Sequence, residues 1–200
     1  MPNIGAHHSL LQTNLRITMQ SETVVNNQTK KRFWLFVLVA VIAYLLMRFV
    51  TGNLNSGEII KFEMAKNTDE ASSIMKTWDA VYTDRFLKSI YADFLFIVGY
   101  AGSLFYACRL VGKLSGNYIF KKAGSVFSFL ALIAGLCDVV ENIGMLYTIR
   151  QQLVNWIIHL TSDMARIKFS LIFIMLLYII VCLLFWTIDK LASGRRRTIL

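Results

Sequence analysis

Two acids and an amide interrupt one of the most apolar stretches of this chain, in the run CDVVENIGML at 137–146. Asp138, Glu141 and Asn142 stand at i, i+3 and i+4, a spacing that puts side chains on one face of a helix. A carboxylate at the centre of a membrane-spanning helix costs about 2.5–3.5 kcal/mol on insertion scales, so each acid must be paired, protonated or bound to something. A further acid, Asp93, falls in a second apolar run, IYADFLFIVGYAGSLFYAC. Counting back from Arg150 at 1.5 Å per residue, Asn142 lies roughly 12 Å and Asp138 roughly 18 Å along the helix, and Asp93 lies roughly 7 Å beyond Lys88. One outer-leaflet pocket can therefore hold Asp93, Asp138, Glu141 and Asn142. Tyr91, Tyr100 and Tyr147 are the nearby hydroxyl donors, Tyr100 being the one placed with the cluster, and no buried Lys or Arg is evident to neutralise it. Such a cluster suits a proton, a cationic headgroup or a hard divalent cation such as Mg²⁺, Ca²⁺ or Mn²⁺, for which Asp93, Asp138 and Glu141 would be the oxygen ligands.

The elements that position these residues follow from composition. With 56% hydrophobic and 16% charged residues, and a mean hydropathy of +0.54, the chain lies outside the range of soluble domains of its length. A single proline and 11 glycines in 200 residues favour long helices over the short strands and frequent turns of a barrel. The fold class is all-α: a polytopic four-transmembrane-helix bundle with a short outer interfacial helix. Its spans fall at about 33–50, 90–108, 124–149 and 167–188 within a membrane domain over 30–190, each near the roughly 20 apolar residues that cross a bilayer core. Residues 1–29 are polar and lack the apolar centre of a signal peptide, which predicts a disordered cytoplasmic tail. Met19 is an alternative translation start, which would make the stretch before it an extension. Residues 191–200 form a basic cytoplasmic tail.

The net charge of +9 is read as topology. Lys30, Lys31 and Arg32 precede the first run, Arg109, Lys113, Lys121 and Lys122 fill one connection, and Arg195 to Arg197 close the chain, as the positive-inside rule requires for both termini inside. Basic side chains of this distribution meet anionic lipid in the bilayer and exclude a nucleic-acid face with interleaved aromatics. Trp34, Tyr118 and Trp186 mark interfaces. Cys108, Cys137 and Cys182 lack metal-ligand spacing and read as small hydrophobes. His7, His8 and His159 are too few and too peripheral for bis-histidine haem ligation.

The outer segment at 51–88 is too long for a plain link. Its NTDE at 67–70 fits a helix start with Glu70 reaching back, so a short surface helix should follow, with Ile74, Met75 and Trp78 turned inward. The second outer connection, QQLVNWIIHLTSDMA, reads as interfacial. Small residues at Gly99 and Ser103, and at Ala131 and Gly135, should let the second and third spans approach each other.

The segments FEMAKNTDEASSIMKTW (62–78), YADFLFIVGYA (91–101) and CDVVENIGML (137–146) together resemble a group of small bacterial integral membrane proteins of uncharacterised activity. The likeness covers about residues 60–148. It implies a location in the bacterial inner (cytoplasmic) membrane and points to Phe62, Glu63, Ala65, Trp78, Asp93, Tyr100, Asp138, Glu141 and Asn142, with Lys66 departing from the pattern. Its addition to the site is Glu63, which would cap the pocket as a fourth carboxylate if the outer segment folds over the bundle.

Three functions compete on these residues. The first is an integral membrane protein whose carboxylate-lined outer-leaflet pocket binds a cation, proton or lipid headgroup. The second is a membrane-embedded metal-assisted lipid enzyme, disfavoured because no nucleophile joins the cluster. The third is a structural or assembly subunit whose acids are satisfied internally, by a second copy or by a partner membrane subunit.

Overall fold

A computed structural model describes residues 4–52, 56–151 and 153–197, and side chains over 27–52, 57–151 and 153–192. The described residues form six helices and no strand: α1 (Ile4–Thr51), α2 (Ser56–Glu63), α3 (Thr68–Met75), α4 (Ala80–Leu114), α5 (Tyr118–Arg150) and α6 (Asn155–Arg197). Four stretches, Asn27–Thr51, Ala80–Leu114, Tyr118–Arg150 and Asn155–Ala192, are long and apolar enough to cross a membrane. The chain is thus an all-α, multi-pass membrane protein.

The helices are longer than hydropathy alone predicts, because little in the chain stops them. Between Gly5 and Gly52 there is neither glycine nor proline, and α1 runs unbroken from Ile4, over the stretch expected to be disordered. The side chains before Asn27, and residues 198–200 of the basic tail, lie outside the described residues. The connection expected at 109–123 shrinks to a tight turn. Ser115 closes α4, Gly116 adopts a left-handed φ of 65°, and the Asn117 side chain accepts from the Ile119 N–H to start α5. Arg109 consequently lies within α4, where its Nε donates to Ser128 Oγ of α5 at 3.3 Å. The stretch expected to lie flat at the second outer connection is instead the first turns of α6, with His159 exposed on it.

The outer segment folds into two short helices. Asn67 caps α3 by accepting from the Glu70 N–H at 2.8 Å, and Glu70 Oε2 accepts from the Lys66 N–H at 2.8 Å. The Lys66 side chain is not needed for that turn. Asp79 caps α4 in the same way, accepting from the Tyr82 N–H. Phe62, Trp78 and Phe86 then meet with ring centroids 5.0 to 5.8 Å apart, and Ile74, Met75 and Tyr82 pack against them, as the spacing predicted for Ile74, Met75 and Trp78. This aromatic cluster fastens α2 and α3 to one end of the bundle.

α5 packs between α4 and α6, while α1 lies on the other side of α4. Here one sequence expectation needs correction. Gly135 of α5 does face α4, since a Cβ built there would meet Ala101 Cβ at 3.0 Å. Gly99, however, faces α1: its Cβ would come 2.5 Å from the Ala40 backbone, and one on Gly102 would strike the Phe36 ring. Close backbone approach without a side chain in the way is how helices gain van der Waals contact in lipid, where apolar burial drives nothing.

A Gly99→Val substitution should therefore separate α1 from α4 and lower stability by about 1–3 kcal/mol, the usual range for overpacking. Thermal unfolding of the purified protein checks this; a variant as stable as the parent would contradict the α1 placement.

Candidate functional site

The polar residues of α4, α5 and α6 converge at one level of the bundle. Asp138 lies 12 residues from the end of α5 and Lys168 lies 13 residues from the start of α6, both roughly 18–20 Å from the end that carries α2 and α3. Lys168 Nζ stands 2.9 Å from Asp138 Oδ1 and 2.7 Å from Glu141 Oε2, with all three side chains 8% exposed or less. Tyr100 of α4 donates its hydroxyl proton to Asp138 Oδ2 at 2.7 Å. Asn142 Nδ2 donates to Asp93 Oδ2 at 2.7 Å, the pairing in depth that helix rise predicted.

Lys168 corrects the expectation of a cluster without a cation. It is the second residue of the fourth apolar run, at the edge of that run in the sequence. The tertiary structure carries the helix back to Asn155 and leaves Lys168 buried against α5. The signal available in the sequence was that the apolar character of α6 begins well before residue 167. The fourth span thus carries a charge of the site as well as apolar surface.

Asp138 is fully engaged, with one oxygen on Lys168 and the other on Tyr100. Glu141 is not. Its Oε2 is close enough to Lys168 for an ion pair, yet neither of its carboxyl oxygens has an aligned hydrogen-bond partner. The contact is electrostatic: the distance is short, while the alignment a hydrogen bond needs is missing. Tyr91 and Tyr147 do not join the cluster: both are exposed, and Tyr91 instead lies beneath the Arg150 guanidinium, 5.6 Å from its ring centroid. Among the described residues no group of three or more His, Cys, Asp and Glu side chains, Asp93, Asp138 and Glu141 included, is gathered as a metal site. The three cysteines are free and buried.

Glu63 ends α2 beside the buried Phe62, so the aromatic cluster that anchors Phe62 also brings Glu63 to the bundle. It lines a cavity of about 810 Å³ together with Asp93, Tyr100, Asp138, Asn142 and Lys168. Burial raises the Glu63 carboxyl to about 7, with the Lys168 ammonium opposing the shift and Asp138 and Asp93 adding to it. The remainder of the cavity is apolar, walled by Val37, Val41 and Tyr44 of α1, Phe96 and Leu104 of α4, and Ile172 of α6. Val41, Tyr44 and Phe169 line it while remaining 44–49% exposed, so the cavity opens sideways between α1 and α6. Ser89 and Ser103 also line it, but both hydroxyls donate to carbonyls of their own helix.

The fold and site define a class: a multi-pass membrane protein with a lateral cavity that is apolar along its walls and acid-rich at one end. Comparison with protein families, with curated proteins and with solved structures returns no match.

Two outcomes test the site. Lys168→Met should destabilise the protein by about 3–5 kcal/mol, because it strands two buried acids. Adding Asp138→Asn and Glu141→Gln to Lys168→Met should recover much of that loss in thermal unfolding, and no recovery would mean that Lys168 acts by shape alone. For Glu63, the folded state holds a proton that the unfolded chain releases near 4.5. Its contribution to stability is complete below 4.5 and is lost as pH rises through about 7. Unfolding midpoints measured across that window should fall more with rising pH in the parent than in Glu63→Gln; parallel curves would contradict the burial of this carboxyl.

Proposed function

We propose that this protein binds an amphipathic, lipid-like molecule in the lateral cavity, with the polar end of the ligand at the acidic cluster and its tail between α1 and α6. The observation that carries this reading is the composition of one cavity of about 810 Å³, which joins Glu63, Asp93 and Asp138 to a long apolar wall and opens toward the bilayer. Ligand pockets of roughly 300–1,000 Å³ with a few convergent polar groups are the usual form of a small-molecule site. Three carboxyl groups, Glu63, Asp93 and Asp138, line the cavity with a single ammonium, that of Lys168, so the polar end favours a cation, a proton or a cationic headgroup. Of these, the apolar wall favours the headgroup of a lipid.

The other two functions fare less well. Chemistry on the lipid would need a nucleophile or an activated water, and the two serines that line the cavity are committed to their own helices. A purely structural role accounts for Asp138 and Lys168, but does not account for Glu63, half-buried in the lining of the cavity.

In the cell the protein would sit in a bacterial inner membrane with both termini inside. In that orientation Lys30, Lys31, Arg32, Lys113, Lys121, Lys122 and Lys190 would lie inside, while Lys61, Lys66, Lys76, Arg85 and Lys88 would lie outside among the acids Glu58, Asp69, Glu70, Asp79 and Asp84. Anionic lipid would gather at the inner end.

Native mass spectrometry of the detergent-purified protein should find a lipid-sized molecule retained on the parent. Val41→Trp, which fills the apolar wall, should lose it. A parent that retains nothing when offered membrane lipid would end this reading.

A further inference from the structure

The cavity carries a second charge that the acidic cluster does not use. Arg48 of α1 lines it, and among the described residues the Arg48 guanidinium has no ion pair and no side-chain hydrogen bond. Glu63, on another element of the same cavity, is likewise without a hydrogen bond or an ion pair within 4.0 Å among the described residues. Asp93 uses one oxygen on Asn142 and keeps the other. A cation and two acids with spare capacity thus face one space without reaching each other.

Their depth follows from helix register. Gly99 lies opposite Ala40 and Gly102 opposite Phe36, so α1 and α4 run antiparallel in close contact. Stepping six residues back from Gly99 to Asp93 moves the opposing position on α1 forward to about Leu46 or Met47, which places Arg48 within about one helical turn of Asp93. Opposite charges at one level, held apart by a cavity, match a ligand that carries both signs a short distance apart.

Resting on the proposed lipid site, we infer that the headgroup it takes is zwitterionic, a phosphate joined to a primary ammonium. The phosphate meets Arg48 at the rim, with the Thr51 hydroxyl one turn away, and the ammonium meets Glu63 and Asp93 further in. Arg suits the outer position because its planar guanidinium can grip two phosphate oxygens at once. Carboxylates suit the inner one because a primary ammonium offers three donors, which the free oxygens of Glu63 and Asp93 can accept. The tails then run along Val37, Val41, Leu104 and Ile172.

The test is a competition among lipids of identical tails on the full-length protein, read by native mass spectrometry at a pH above 7, where Glu63 is charged. Phosphatidylethanolamine should outbind phosphatidylglycerol and diacylglycerol, each by about tenfold, the size of one charge-assisted hydrogen bond. Glu63→Gln should erase most of the preference over phosphatidylglycerol, and Arg48→Gln most of the preference over diacylglycerol. Arg48 is exposed, Glu63 is half-buried and neither substitution creates a void, so Arg48→Gln should unfold near the temperature of the parent and Glu63→Gln at or above it, because at this pH the parent carries a buried charge there. Equal binding of all three lipids would overturn the zwitterionic headgroup while leaving a lipid site in place; binding of none would remove the lipid site itself. Displacement of the lipid by soluble phosphoethanolamine at equal concentration would also overturn the inference, by showing that the tails contribute nothing.

Discussion

An ammonium inside a bundle of membrane helices is tolerated only if carboxylates meet it, and this condition organises the structure around Lys168. Its two contacts, with Asp138 and Glu141, bind α6 to α5 at one register, since a shift of one residue would turn the charge toward lipid. Tyr100 extends the constraint to α4 through Asp138, and the Asp93 to Asn142 hydrogen bond repeats it a turn away. Three helices are thereby fixed in depth and rotation by a handful of polar side chains. Small-residue contacts such as Gly135 on Ala101 and Gly144 on Thr161 let the backbones come close enough for those side chains to meet. A buried ion pair of this kind is weak evidence for high stability, because desolvation offsets most of the attraction; its effect lies in specifying one arrangement.

α1 stands outside this network. It rests on α4 through Gly99 and Gly102. The approach is intimate along that line, and the space between α1 and α6 is left as a cavity, with the unsatisfied members of the polar cluster at one end of it. The aromatic group of Phe62, Trp78 and Phe86 holds α2 against the bundle, and so brings a fourth carboxyl, Glu63, to the same space. A cavity open to the bilayer, apolar along its length and charged at one depth, has the chemical form of an amphiphile. That correspondence is the basis of the functional reading.

Much of this was legible in the residues themselves. Hydropathy and the scarcity of glycine and proline determined an all-α membrane protein of four spans, because a backbone in lipid must satisfy its own hydrogen bonds. The i, i+3, i+4 spacing of Asp138, Glu141 and Asn142 put them on one face, and constant helix rise paired Asp93 with Asn142 in depth. The NTDE run at 67–70 announced the start of α3, since the capping contacts are local in sequence.

What the tertiary structure alone decided is which faces meet. Lys168 was not legible as part of the cluster because hydropathy reports where an apolar run is densest and says nothing of how far its helix extends or which way a side chain turns; only packing against α5 made it the counter-ion of the cluster. Gly99 was equally visible as a small residue, but a small residue states that some helix can come close without naming which one. The cavity itself has no local signal at all. Its walls come from Val41, Phe96 and Ile172 on three helices far apart in the chain, and what joins them is a gap, which exists only once all of the helices are in place.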